Sequence, residues 1–247
     1  MLSLLLFFAL PSILFSQDVN QLIKEAQQQE SSFHENEAFL KYAYILKLQP
    51  TNLTALCKCS ELSSRIGARQ SGKDKMNEYF IAAKNYAAAA LRNDPNSSEA
   101  NFVMALALGR LSLIAGTKER IELARDIKKY AEISIRLDPF NFKPYHVLGK
   151  WNYEVSNLNV AERALAKLIY GGLPSASLKQ SIFYFEKSRT LNPSFILNYL
   201  ELARAYHRNN ENNKALDLLR TVQSLPNMIT DDARVKKTAG MLLKEWQ

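Results

Sequence analysis

Glycine, proline, cysteine and histidine are all scarce in this chain of 247 residues, with 8, 8, 2 and 3 copies. Few Gly and Pro leave few places to turn. No alternating β-branched runs bounded by turn residues appear, which argues against a sandwich or barrel. Cys57 and Cys59 stand two apart, on different sides of a helix, so they cannot bridge there, and two thiols alone make no zinc site. They read as buried, inert thiols. His34, His146 and His207 are far apart, and His34-Glu35-Asn36-Glu37-Ala38 lacks the second His of a zincin motif. No G-x-S-x-G elbow is present. No catalytic, metal or cofactor residues are therefore assigned, and the chain does not read as an enzyme.

What is present favours helix. Hydrophobic residues make up 47% and charged residues 23%, as in ordinary globular proteins. Runs such as Tyr86-Ala87-Ala88-Ala89-Ala90-Leu91 have high helix propensity. Lys plus Arg exceed Asp plus Glu by 32 to 24. The excess is dispersed, and pairs such as Lys128-Lys129 and Lys236-Lys237 read as solvated faces. Without a basic block, nucleic acid is not an expected partner.

Leu2 to Phe15 is apolar apart from Ser3, Pro11 and Ser12. A membrane span needs about 20 residues. The segment instead fits a signal peptide over residues 1–16, cleaved after Ser16, with an exported, periplasmic mature chain over 17–247. Two features depart from that pattern: no Lys or Arg precedes the run, and Leu14 stands two before Ser16. The alternative is an uncleaved membrane anchor over residues 2–15.

Proline recurs in a fixed context: Leu48-Gln49-Pro50, Asn93-Asp94-Pro95, Leu137-Asp138-Pro139, Leu191-Asn192-Pro193 and Ser224-Leu225-Pro226, spaced by 45, 44, 54 and 33 residues. Each closes a stretch of helical periodicity, because the residue before proline disfavours the α region. A small residue lies twelve positions earlier in three cases (Ala38, Ala83, Ser181) and eleven in another (Ala215). Ile127 departs. Small residues there let two helices approach closely. Tyr145, Leu148 and Gly149 reproduce the aromatic, Leu and Gly of the tetratricopeptide (TPR) signature, as do Tyr199, Leu202 and Ala203 with Ala for Gly. The expected fold is an all-α, right-handed superhelical TPR-like solenoid of helix hairpins. Its units lie near 18–50, 52–95, 97–139, 142–193 and 195–226, and a C-terminal capping helix covers 231–245. An insertion at 157–177 carries an extra helix. Gly67-Ala68-Arg69-Gln70-Ser71-Gly72-Lys73-Asp74 nearly matches a phosphate-binding loop. Asp74 replaces the required hydroxyl and no strand precedes it, so it reads as an inter-helix loop.

Further stretches carry a more specific likeness. Gly116 to Ile121, Ile127-Lys128-Lys129-Tyr130 and Ile135 to Pro139 lead into His146-Val147-Leu148-Gly149-Lys150-Trp151-Asn152-Tyr153-Glu154-Val155-Ser156. Glu162, Tyr170-Gly171, Leu173-Pro174-Ser175-Ala176 and Phe185 follow. Together, over residues 70–226, they resemble the regulator of microtubule dynamics protein family. The resemblance implies a TPR-like fold and an adaptor role, and eukaryotic members are associated with microtubules and membranes. The signal-like start fits a bacterial exported relative instead, one without tubulin as partner.

In a TPR solenoid the first helix of each unit lines a concave groove. The expected groove residues are Lys143, His146, Lys150 and Tyr153 in the fourth unit, and Arg204 and His207 in the fifth. Basic side chains there suit the carboxylates of a partner peptide or helix. Trp151 reads as core. The expected function is a non-enzymatic protein-binding scaffold in the cell envelope. The alternatives are a membrane-anchored regulator of microtubule dynamics-like protein and a structural repeat protein that self-associates through the insertion.

Overall fold

The structure, a computed structural model, describes residues 10–247. Among these there are twelve α-helices and no strands. They pair as hairpins in chain order: α1 (Leu10–Ser31) with α2 (Glu35–Leu48), α3 (Leu53–Ala68) with α4 (Lys73–Asn93), and α5 (Ser98–Ser112) with α6 (Thr117–Leu137). Next, α7 (Phe142–Val155) packs on α9 (Leu178–Leu191), with the inserted α8 (Val160–Tyr170) between them in sequence. Then α10 (Ile196–Arg208) pairs with α11 (Asn212–Ser224), and α12 (Asp232–Glu245) closes the end. The expected signal segment lies partly outside the described residues, and Ser16 falls within α1.

The recurrent prolines shape the same corner each time. Gln49, Asp94, Asp138 and Asn192 all leave the helix in extended conformation, with φ of -134, -143, -145 and -141°. That is the backbone a following proline demands. After three of them the side chain accepts a hydrogen bond from the backbone N–H two residues on: Asp94 from Asn96, Asp138 from Phe140 and Asn192 from Ser194. The next helix is then N-capped by a side-chain oxygen at Asn52, Ser97 and Asn141. The repeat aromatic seals the corner. The Tyr145 hydroxyl donates to the Pro139 carbonyl at 3.2 Å, and that of Tyr199 to the Pro193 carbonyl at 3.0 Å.

The small residues sit where hairpin helices touch. Ala38, Ala83, Ser181 and Ala215 are all fully buried. Ser181 also donates to the Gly149 carbonyl across the α7–α9 contact, at 2.8 Å. Gly149 is pressed against the Phe185 ring, leaving no room for a Cβ. Ile127, which breaks the pattern, is buried among Met104, Leu108 and Trp151. Trp151 is core, its Nε1–H donating to the Ala124 carbonyl at 2.6 Å. Cys57 and Cys59 are buried free thiols, and burial pushes both up to about 12. They are protonated and inert at neutral pH.

The core is a series of apolar clusters following the chain. One joins α1–α3, the next spans α3 to α7, and another spans α9 to α12. This is the one-dimensional layout of a repeat solenoid. α8 is an addition to it. Asn159 and Glu162 form a capping box at its start, Gly171 at φ 70° ends it, and Glu162 pairs with Arg120 of α6 at 2.6 Å. The coil curls until its ends meet. Arg69, just after α3, pairs with Asp231, just before α12, at 3.1 Å, and the Thr230 hydroxyl donates to the Phe33 carbonyl at 3.4 Å.

The concave face and its ion-pair lattice

First helices must lie inside the curve, because their side chains reach across whole units. Lys143 of α7 contacts Glu61 of α3 at 3.2 Å and Glu99 of α5 at 2.8 Å, so three successive units meet at one ammonium group. Helical spacing extends the same face along each helix. On α3 and its C-cap it carries Lys58, Glu61, Arg65 and Arg69; on α5, Glu99, Phe102 and Arg110; on α7, Lys143, His146, Lys150 and Glu154; on α10, Glu201, Arg204 and Arg208.

The expected groove residues all have partners inside the chain. Lys143 lies over the Phe102 ring at 5.0 Å. Burial works against its charge, but Glu61 and then Glu99 outweigh it and raise the lysine pKa. Burial likewise opposes the Glu61 carboxylate, yet Lys143, Arg65 and Lys58 hold it well below its usual range. Lys150 pairs with Glu201 at 2.8 Å and Glu154 at 2.9 Å, and Arg204 takes the other Glu201 oxygen at 2.7 Å. The Tyr153 ring receives Lys150 and Arg208 as cation–π partners. His207 is stacked flat on Trp246, ring centres 3.8 Å apart, so the chain's own C-terminal end covers it. Sequence reading found the cations but missed Glu61, Glu99 and Glu201, which neutralise them.

A second lattice lies at the amino-terminal end. Glu30 binds Lys58 and Arg65, and Glu35 binds Arg65 and Arg69. Glu35 is nearly sealed from solvent, with 3% of its side chain exposed, so it needs those guanidiniums.

His146 sits between aromatic rings, 4.8 Å from Phe195 and 5.5 Å from Phe185. Its Nδ1 is 3.0 Å from the Asn198 Oδ1, while the Asn198 amide donates to the Phe185 carbonyl. Nδ1–H is therefore the donor. Burial, the largest cause, pushes its pKa down to about 4 from 6.5. The folded protein binds this proton more weakly than the unfolded chain does. The contribution is thus present above pH 6.5 and lost as pH falls toward 4. We expect urea denaturation to show stability dropping by up to about 3 kcal/mol through that window. His146→Gln should flatten the profile between pH 4.5 and 6.5; an unchanged slope would contradict this origin. Glu61 and Glu201, whose pKa values are lowered, lose their contributions only at more acid pH.

The near phosphate-binding sequence has no phosphate cradle. Gly67 lies inside α3, Gly72 turns at φ 99°, and α4 starts at Lys73. Among the described residues no group of His, Cys, Asp and Glu could hold a metal ion, and no helix is long and apolar enough to cross a membrane.

The sequence profile of regulator of microtubule dynamics protein 1-3 matches residues 17–247. The chain belongs to this family. Its relatives include regulator of microtubule dynamics protein 3 of Xenopus laevis, 31% identical over 161 residues, which are 65% of this chain and 35% of that protein. Protein 1 of Caenorhabditis elegans is 26% identical over 194 residues, 78% of this chain and 84% of that one. The chain thus spans about a third of the Xenopus relative's length but most of the nematode one's. Among solved structures, a thermophilic TPR protein of Thermus thermophilus superposes with a TM-score of 0.66 at 13% identity, covering 90% of this chain and 99% of that one. This family member therefore has a right-handed TPR-like solenoid of helix hairpins with a terminal helix, the fold class expected from its prolines.

Proposed function

We propose that the chain is a non-enzymatic scaffold whose concave face holds a peptide or helix of a partner protein. The observation carrying this is the inner face itself. It is lined by charged side chains of four first helices, and ion pairs such as those of Lys143 and Lys150 span units, so the face is polar and its charges are fixed in place. Such a face recognises an extended or helical segment by paired charges along its length. Lys150, Tyr153 and Arg204 are the predicted partner contacts on the carboxyl-terminal half. Lys143, with 24% of its side chain exposed against 37% for Lys150 and 32% for Arg204, supports the face from behind, as do His146 packed between Phe185 and Phe195 and His207 stacked on Trp246.

Lys150→Gln tests this without reversing charge beside Glu201. A random dodecapeptide phage library panned on the purified protein should enrich defined sequences. Their synthetic peptides should bind Lys150→Gln about tenfold more weakly. No enrichment, or equal binding by a variant of unchanged thermal stability, would sink the groove reading.

The segment before Gln17 supports a placement in the cell envelope as a bacterial exported member, with cleavage after Ser16. Fractionation of native cells with amino-terminal sequencing tests the placement. Soluble periplasmic protein starting at Gln17 is the expected result. Membrane-bound protein with Met1 intact would favour the anchored reading, in which a cytosolic partner such as those implied by the relatives' names becomes accessible.

A further inference from the structure

Most cations of the inner face have a carboxylate of their own. Lys58, Arg65, Arg69, Lys143, Lys150 and Arg204 all do. Arg208 donates instead to the Tyr153 carbonyl at 2.8 Å. Arg110 has neither. Its Nε is closed off from solvent without a hydrogen-bond partner, and the guanidinium forms no ion pair among the described residues. It lies near the end of α5 on the face of Glu99 and Phe102, whose inward direction is fixed by Lys143.

Its surroundings explain the vacancy in charge. The groups that act on Arg110 are Asp231 and Glu201, which attract it, and Arg234 and Arg65, which repel it. Both carboxylates are taken. Asp231 binds Arg69 and Arg234, and Glu201 binds Lys150 and Arg204. Desolvation, the largest cause, lowers the Arg110 pKa despite those carboxylates. Folding therefore leaves a cation without an ion pair of its own near Arg65 of α3, Glu201 of α10 and Arg234 of α12.

We propose that Arg110 is the receptor for a carboxylate of the bound peptide, a Glu or Asp side chain or a chain terminus. This rests on the groove reading above and names the chemistry of its occupant. A carboxylate matches the planar fork of the guanidinium with two parallel hydrogen bonds. One negative charge balances the guanidinium of Arg110. Asp231 and Glu201 repel any anion there, a dianionic phosphate about twice as strongly as a carboxylate, so the single charge is favoured.

The test uses two fluorescein-labelled dodecapeptides of Ala, Ser and Gln, one carrying a central Glu-Glu and its twin Gln-Gln. Anisotropy should show the wild-type full chain binding the Glu peptide about tenfold tighter than its twin. Arg110→Met should bring that ratio to about one. It should also raise the Tm of the free protein by about 2–4 °C, since a desolvated, unpaired cation is removed. A structural arginine would instead lower Tm when replaced. The assignment is overturned if the wild type shows no preference, if the preference survives Arg110→Met, if Tm falls, or if inorganic phosphate binds more tightly than the Glu peptide. Failure here alongside retained binding of phage-selected peptides would remove Arg110 and leave the groove standing. Failure of both would remove the groove.

Discussion

Gly149→Val is expected to cost about 3 kcal/mol or more, lowering Tm by roughly 6–12 °C in calorimetry. Even a Cβ at this position would stand 2.5–2.7 Å from three atoms of the Phe185 ring. Phe185 is fully buried and packs with Ile196, Tyr199 and Leu202, so it has nowhere to retreat. The clash would separate α7 from α9 and take with it the Ser181 hydrogen bond to the Gly149 carbonyl. Because neighbours in a solenoid lean on each other, the loss should spread through the carboxyl-terminal units. Gly109→Ala is the control. It sits in α5 with open space around the new methyl, so it should be neutral or stabilising by about 0.5–1 kcal/mol. A mild Gly149→Val would show that the α7–α9 contact is looser than described.

Glu201→Gln should destabilise by about 2–3 kcal/mol in urea denaturation. Its carboxylate, with 8% of the side chain exposed, holds Lys150 and Arg204, and losing it strands both cations on the inner face. A fully buried pair would cost about 3–5 kcal/mol, but the partner side chains are 37% and 32% exposed and can reach water, which reduces the figure. The double variant Glu201→Leu with Lys150→Met should recover part of the loss, since an apolar pair can replace a buried ion pair. A coupling energy below about 0.5 kcal/mol between positions 150 and 201 would mean the lattice is ornamental to stability.

The fold was legible because its corners are local. A proline, the residue before it and a side-chain cap determine each turn within a few residues, and helix periodicity fills the space between. Pro50, Pro95, Pro139 and Pro193 each stand two residues after the last residue of a helix, Leu48, Asn93, Leu137 and Leu191. The inserted helix was legible for the same reason, through its Gly171-Gly172 end. The site was legible only in part. The direction of α7 and α10 toward the groove followed from their TPR signatures, which named Lys143, Lys150 and Arg204. Their partners could not follow, because Glu61 and Lys143 are 82 residues apart and meet only when three units curl together. The same spacing rule applied to α3 and α5 would have exposed Arg65, Glu99 and Arg110 as inward-facing. Those helices lack the aromatic-Leu-Gly signature that marks α7 and α10. Nor could sequence show that the coil closes, bringing Asp231 to Arg69 and Trp246 onto His207.

The central claim is that the concave face is where a partner lies. Its most direct test is site-specific photocrosslinking in native cells, with a benzophenone amino acid at Arg204 or Tyr153 on the inner face and at Lys129, exposed on α6, as the outer control. Inner positions should give one discrete adduct whose crosslinked residues map to a single linear or helical segment of one partner, while Lys129 gives none. Adducts from Lys129 alone, or equally from every position, would place the partner on the convex face and contradict the claim.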